Sequence, residues 1–121
     1  MKIYLVADDL EVNNDIFRKL FKHLDPDAFV ATSSSGSQLI DLYKDLVDSK
    51  YNSVRAVFID YAMPGQNGLE TLRGLRELGY EGPAYLITGR SAHEVDDRCL
   101  EEFTDIILKP LDIDKIKSLR Y

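Results

Sequence analysis

Four apolar runs in this chain each end on a polar residue able to handle a phosphoryl group. Ile3-Tyr4-Leu5-Val6-Ala7 leads into Asp8 and Asp9, and Val57-Phe58-Ile59 leads into Asp60. Ala84-Tyr85-Leu86-Ile87 leads into Thr88, and Ile106-Ile107-Leu108 leads into Lys109. If the runs are strands of one parallel sheet, their C-terminal ends share the edge where open α/β sheets bind ligands. Three carboxylates, a hydroxyl and an ammonium then converge. Two carboxylates about 4 Å apart repel by about 4 kcal/mol at an effective dielectric of about 20. A third adds to this, so the cluster calls for a proton or a cation, and hard oxygen ligands with open positions suit Mg²⁺. The metal-free protein is then expected to gain stability when Asp8 or Asp9 is neutralised.

A carboxylate can attack phosphorus and form an aspartyl phosphate. Asp60 stands alone and is the better nucleophile, whereas Asp8 and Asp9 form a pair suited to metal. Lys109 supplies a point charge for a phosphoryl oxygen and Thr88 a hydroxyl donor, with Gly89 letting a ligand come close. Each residue alone has a plainer reading. Asp8 or Asp9 could cap a helix, Asp60 could open a turn, Thr88 could be an ordinary strand-end residue, and Lys109 could snorkel. The chain has no Gly-rich phosphate loop, and two aspartates at the first strand-helix junction would repel a nucleotide phosphate.

The elements that must place these residues alternate from end to end. Leu10, Ile16, Phe17, Leu20, Phe21 and Leu24 recur at helical spacing until Asp25-Pro26-Asp27 stops them. Phe29 to Thr32 reads as a second strand, followed by a helix with Leu39, Ile40, Tyr43, Leu46 and Val47 on one face. Val54 to Ile59 is the third strand, and Leu69, Leu72, Leu75 and Leu78 make a third helical stripe ended by Gly79. Pro83 starts the fourth strand. A fourth helix from near Ser91 turns Ala92, Val95, Cys99 and Phe103 inward, and a short last helix carries Ile113, Ile116 and Leu119. Strands with little polar alternation, separated by helices, predict an α/β fold with a parallel sheet covered on both faces.

With 121 residues the chain fits one domain, residues 1–121, and at 45% hydrophobic it can bury a core. A net charge of −6 argues against direct binding to nucleic acid or to an anionic membrane. Cys99 is the only cysteine, which excludes an intrachain disulfide and points to a reducing cytoplasm. His23 and His93 are too far apart in sequence to suggest a histidine metal site.

The pattern as a whole resembles the receiver domain of two-component response regulators. Asp8-Asp9, the run Phe58-Ile59-Asp60-Tyr61-Ala62-Met63-Pro64 with Gly68 downstream, Thr88-Gly89, and Lys109-Pro110 carry the resemblance over essentially the whole chain. It implies a five-stranded sheet in the order 2-1-3-4-5, the flavodoxin-like receiver fold, and a cis Lys109-Pro110 bond. It implies Asp60 as phospho-acceptor, served by a sensor histidine kinase or a histidine phosphotransfer protein. Asp9, Asp60 and the backbone carbonyl of Ala62 would hold Mg²⁺, with Asp8 acting mainly through water. Lys109 would contact the phosphoryl group, and Thr88 would report it. Such a domain is a self-phosphorylating signalling element rather than an enzyme acting on other substrates, and a homodimer through the fourth helix, fifth strand and fifth helix is one output.

Three departures from the family pattern stand out. Ile106 occupies the position usually held by an aromatic switch residue. Glu102-Phe103-Thr104-Asp105 replaces a usual Gly-Ala, so the fourth helix must end without a left-handed glycine. The last helix is short, which leaves the chain as a candidate piece of a longer protein. A haloacid-dehalogenase-type phosphatase would need its nucleophile on the first strand, and here the lone aspartate follows the third. A degenerate receiver serving as a phosphate-independent interaction module is the other alternative, kept open by Ile106.

Overall fold

The computed structural model describes residues 1–89 and 95–119. Among these, strands β1 (Lys2–Ala7), β2 (Phe29–Ser33), β3 (Ser53–Asp60), β4 (Ala84–Thr88) and β5 (Asp105–Leu108) alternate with helices. The helices are α1 (Glu11–Leu24), α2 (Gly36–Val47), α3 (Gly68–Glu77), α4 (Arg98–Glu102) and α5 (Ile113–Ser118). All strand pairs are parallel, in the order β2-β1-β3-β4-β5. β1, the second half of β3 and all of β4 are buried on both faces, which is why they read as continuous apolar runs.

Alternation along the strands divides the core in two. Leu5, Ile59 and Leu86 face one side, where Leu39 and Tyr43 of α2, Leu69, Leu72 and Leu75 of α3, and Cys99 of α4 cover them. Val6, Phe58, Tyr85 and Ile87 face the other, under Phe17, Leu20 and Phe21 of α1 and Ile116 of α5. Phe58 lies 4.9 Å from Phe17 and 5.2 Å from Tyr85, ring centre to ring centre.

Local chemistry sets the helix ends. Asn67 and Glu70 form a reciprocal capping box at the start of α3, and Gly79 follows its end at φ +100°. Ser35 and Asp112 cap α2 and α5 through the backbone N–H groups of Gln38 and Lys115. α1 has no side-chain cap, and Leu10 sits at its cap position.

Several residues expected on inward stripes are exposed instead. Leu10, Leu24, Val47 and Leu78 lie at helix ends, past the reach of the sheet. The expected helix start near Ser91, with Ala92, lies outside the described residues. Val95, Cys99 and Phe103 are buried as expected, and among the described residues α4 begins at Arg98, leaving residues 95–97 outside it. Asp96 accounts for this, because its carboxylate accepts the Arg98 backbone N–H at 3.0 Å and makes a local turn that competes with helix. α4 ends on an extended Phe103, and no described residue other than glycine has positive φ. Thr104 then ties to Ala84 through both its N–H (2.7 Å) and its hydroxyl oxygen (3.0 Å). The Lys109-Pro110 bond is cis.

Candidate acidic phosphoryl site

Register brings the chemistry together. Ala7 pairs with Ile59, Asp60 with Ile87, and Thr88 with Leu108. Asp8, Asp60, Thr88 and Lys109 therefore leave one end of four adjacent strands at nearly the same height. The chain beyond Asp60 is held by Tyr61 N–H donating to Ile87 O (2.8 Å) and Gly68 N–H donating to Tyr61 O (2.9 Å). Gly68 must be small: a Cβ there would stand 2.8 Å from Asp60 O and 3.0 Å from a Leu86 methyl. Exposed Ala62 lies in the loop so held.

Asp8, Asp9 and Asp60 each offer a carboxylate oxygen, and the three lie within 4.8 Å of one another. Asp8 is wholly buried, Asp60 is 3% exposed, and Asp9 is exposed. Lys109 reaches over from the end of β5, its Nζ 3.1 Å from Asp60 Oδ2 and 3.2 Å from Asp8 Oδ2. Its backbone N–H donates to Thr88 O at 2.8 Å, which fixes where that reach starts. Thr88 is buried at the end of β4, as the sequence placed it. Among the described residues, a Cβ added at Gly89 would meet Lys109 Cβ at 3.9 Å, an ordinary contact.

Burial raises the Asp60 carboxyl pKa to about 6; Lys109 opposes the rise, and the Asp8 charge and a shared hydrogen bond with Asp9 add to it. Burial pulls the Lys109 ammonium down, but the hydrogen bond and charge of Asp60, with those of Asp8, outweigh it and hold its pKa above the ordinary value. Among the described residues one ammonium, that of Lys109, faces the three carboxylates and offsets only part of their charge. Three clustered carboxylate oxygens are hard ligands that fit a divalent cation such as Mg²⁺.

Asp8 is not a helix cap. Its Oδ1 accepts the Leu10 N–H at 2.9 Å and its Oδ2 accepts from Asn13 Nδ2 at 3.0 Å, while its own N–H donates to Ser33 O at 3.1 Å. The Asp8 carboxylate is therefore already well supplied with donors, and Asp9 is the more open of the pair. Asn13 and Asn14 were not anticipated from the sequence. Asn14 could have been, since it falls three residues before Phe17 and seven before Phe21 on the buried stripe of α1.

The family model of the response regulator receiver domain matches residues 4–119. The chain is 28% identical over 122 residues to the two-component response regulator ARR6 of Arabidopsis thaliana, covering 96% of this chain and 66% of that protein. It is 30% identical over 116 residues to the two-component response regulator 24 of the same plant, covering 95% and 78% respectively. It is 27% identical over 118 residues to the transcriptional regulatory protein CiaR of Streptococcus pneumoniae, spanning 97% of this chain and 48% of that protein. Among solved structures, a CheY-like receiver domain of Methylobacillus flagellatus aligns at TM-score 0.76 with 24% identity, over 97% of this chain and 93% of that one. The chemotaxis protein CheY4 of Vibrio cholerae aligns at TM-score 0.79 with 17% identity, over 97% and 93%. With the whole sheet, the order of its strands and nearly every residue matched, this chain belongs to the response regulator receiver domain family.

Proposed function

We propose that this domain accepts a phosphoryl group on Asp60 from the phosphohistidine of a sensor kinase or a histidine phosphotransfer protein, and thereby switches its protein contacts. The observation that carries the reading is Lys109, which spans from the end of β5 to Asp60 and Asp8 together. In the transfer, an Asp60 carboxylate oxygen attacks phosphorus, the phosphorus–nitrogen bond to histidine breaks, and the imidazole keeps the electron pair. Asp9, Asp60 and the Ala62 carbonyl are assigned to hold Mg²⁺, with Asp8 acting through water. Bound there, the ion neutralises charge on the phosphoryl oxygens. Lys109 Nζ takes a further phosphoryl oxygen, moving off Asp60 as a carboxylate oxygen of Asp60 becomes bound to phosphorus. The Thr88 hydroxyl, at the end of the neighbouring strand, donates to another.

Output through α4, β5 and α5, as a homodimer or toward another partner, and a cytoplasmic setting belong to the same proposal, as does a single domain over residues 1–121. Among the described residues, no helix is long and apolar enough to cross a membrane. The test is acetyl phosphate or phosphoramidate with Mg²⁺, read by intact mass. One labile phosphoryl group is expected on the native protein, and none on Asp60→Asn or without divalent metal. Labelling that persists in Asp60→Asn overturns the assignment, and an unlabelled native protein points to a phosphate-independent interaction module.

A further inference from the structure

We infer that Asn14 is a positioning residue for the acidic site: its side-chain amide sets the turn between β1 and α1 that carries Asp8 and Asp9. This rests on the reading of the cluster as a cation site. Asn14 is 1% exposed and lies on the stripe of α1 that otherwise buries Phe17, Leu20 and Phe21. Its Nδ2 donates to Asp8 O at 3.0 Å and to Ser33 O at 3.2 Å. Ser33 O also accepts the Asp8 N–H at 3.1 Å, and the Ser33 hydroxyl donates to Val6 O at 3.3 Å. The ends of β1 and β2 and the first turn of α1 are thus joined through one amide group.

Two carbonyl acceptors fix the orientation of that amide, because a flipped amide would set oxygen against oxygen. The fixed orientation leaves Asn14 Oδ1 buried with no hydrogen-bond partner. An unmet buried acceptor is destabilising, and an apolar side chain at this place on the stripe would avoid it. Leucine would fill the space but would give Asp8 O and Ser33 O no donor. What asparagine adds is control of the backbone at Asp8. Asn13 holds the Asp8 carboxylate while Asn14 holds the Asp8 carbonyl, so the neighbouring residues divide the control of one aspartate. Asp9 follows on the same turn, and its direction toward Asp60 is set with it.

The experiment compares native protein with Asn14→Leu, which keeps the branched outline of the side chain, with bulkier methyl groups, and removes both donors and the orphan oxygen. Mg²⁺ affinity is measured by titration of the backbone amide shifts of Asp9 and Asp60, and thermal stability is measured without metal. Residues that orient metal ligands typically change affinity by about 10-fold to 100-fold when replaced. A loss of about 10-fold is expected in Asn14→Leu, with little change in the metal-free melting temperature. A lowered melting temperature with unchanged affinity would show a role in folding alone and overturn the proposal. Native protein that binds no Mg²⁺ overturns it too. If Asn14→Leu does not fold, amide exchange in the native protein decides: the Asn14 side-chain protons should exchange far more slowly than those of exposed Gln38, and equal rates overturn the proposal. If native protein binds Mg²⁺ but takes up no phosphoryl group, the phosphotransfer reading falls while the affinity comparison still judges Asn14.

Discussion

At 3% exposure the Asp60 carboxyl feels burial before anything else, and its pKa of about 6 stands above the usual 3.8. Between those two values the folded state holds a proton that the unfolded chain has released. Stability without metal therefore falls as pH rises through that window, and the full cost is present above about pH 6. Asp60→Asn keeps the shape and removes the charge. In chelator at pH 7.5 it should be more stable than the native protein by about 1–2 kcal/mol, the shift being shared among coupled acids and offset by the lost Lys109 pairing. The gain should shrink to nothing near pH 4. Urea unfolding at both pH values checks this, and a less stable Asp60→Asn at pH 7.5 would contradict it. Asp8 is a different case. The sequence leads one to expect relief from neutralising Asp8 or Asp9, but Asp8 accepts from Leu10, Asn13 and Lys109. Its removal leaves donors unmet, so the expectation of relief now rests on Asp9. Sequence could supply the acids and their common edge. It could not show which acid was already satisfied, because the donors to Asp8 come from the start of α1, at Leu10 and Asn13, and from Lys109 beyond β5.

Strands were the legible elements, since β1, β3 and β4 are buried on both faces and cannot alternate in polarity. α4 was not. Val95, Cys99 and Phe103 stand four residues apart and read as one helical stripe, yet Asp96 breaks it. The Arg98 guanidinium holds the Asp96 carboxyl down to about 2, so that turn stays charged and intact across the working pH range. α4 is also moored at its far end, where Arg73 of α3 makes two hydrogen bonds to Glu102, at 3.1 and 2.7 Å, and Thr104 clasps Ala84. Ile106, half-buried on edge strand β5, lies beside a surface cavity of about 190 Å³ lined with Leu108, Asp112 and Lys115. With α4 tied to its neighbours and no ring to move, binding of beryllofluoride with Mg²⁺ should shift backbone resonances chiefly in the loops holding Asp9, Asp60, Thr88 and Lys109. Ile106→Tyr should widen the response along residues 95–108, the ring having room at that cavity. Large shifts along 95–108 in the native protein, unchanged by Ile106→Tyr, would show that isoleucine is a sufficient switch.

On the scale of the whole molecule, Asp8, Asp9, Asp60, Thr88 and Lys109 lie at one pole because every strand of a parallel sheet runs the same way. That much could be read from four run ends in the sequence. The tie through Asn14 could not, since it depends on how β1, β2 and α1 close against one another. The opposite pole carries the turn from α1 to β2 at Pro26 and Asp27, both exposed, and exposed Tyr51 before β3. A short Gly-Ser insertion between Pro26 and Asp27 should therefore leave Mg²⁺ affinity and Asp60 labelling unchanged, with at most a lower melting temperature. Loss of labelling in a folded insertion variant would show that this turn communicates with the acids. The same separation has a practical side. A fluorescent protein or a surface tether built into that turn would sit at the end remote from the acids, so the domain could be made into a reporter with its reactive pole left open.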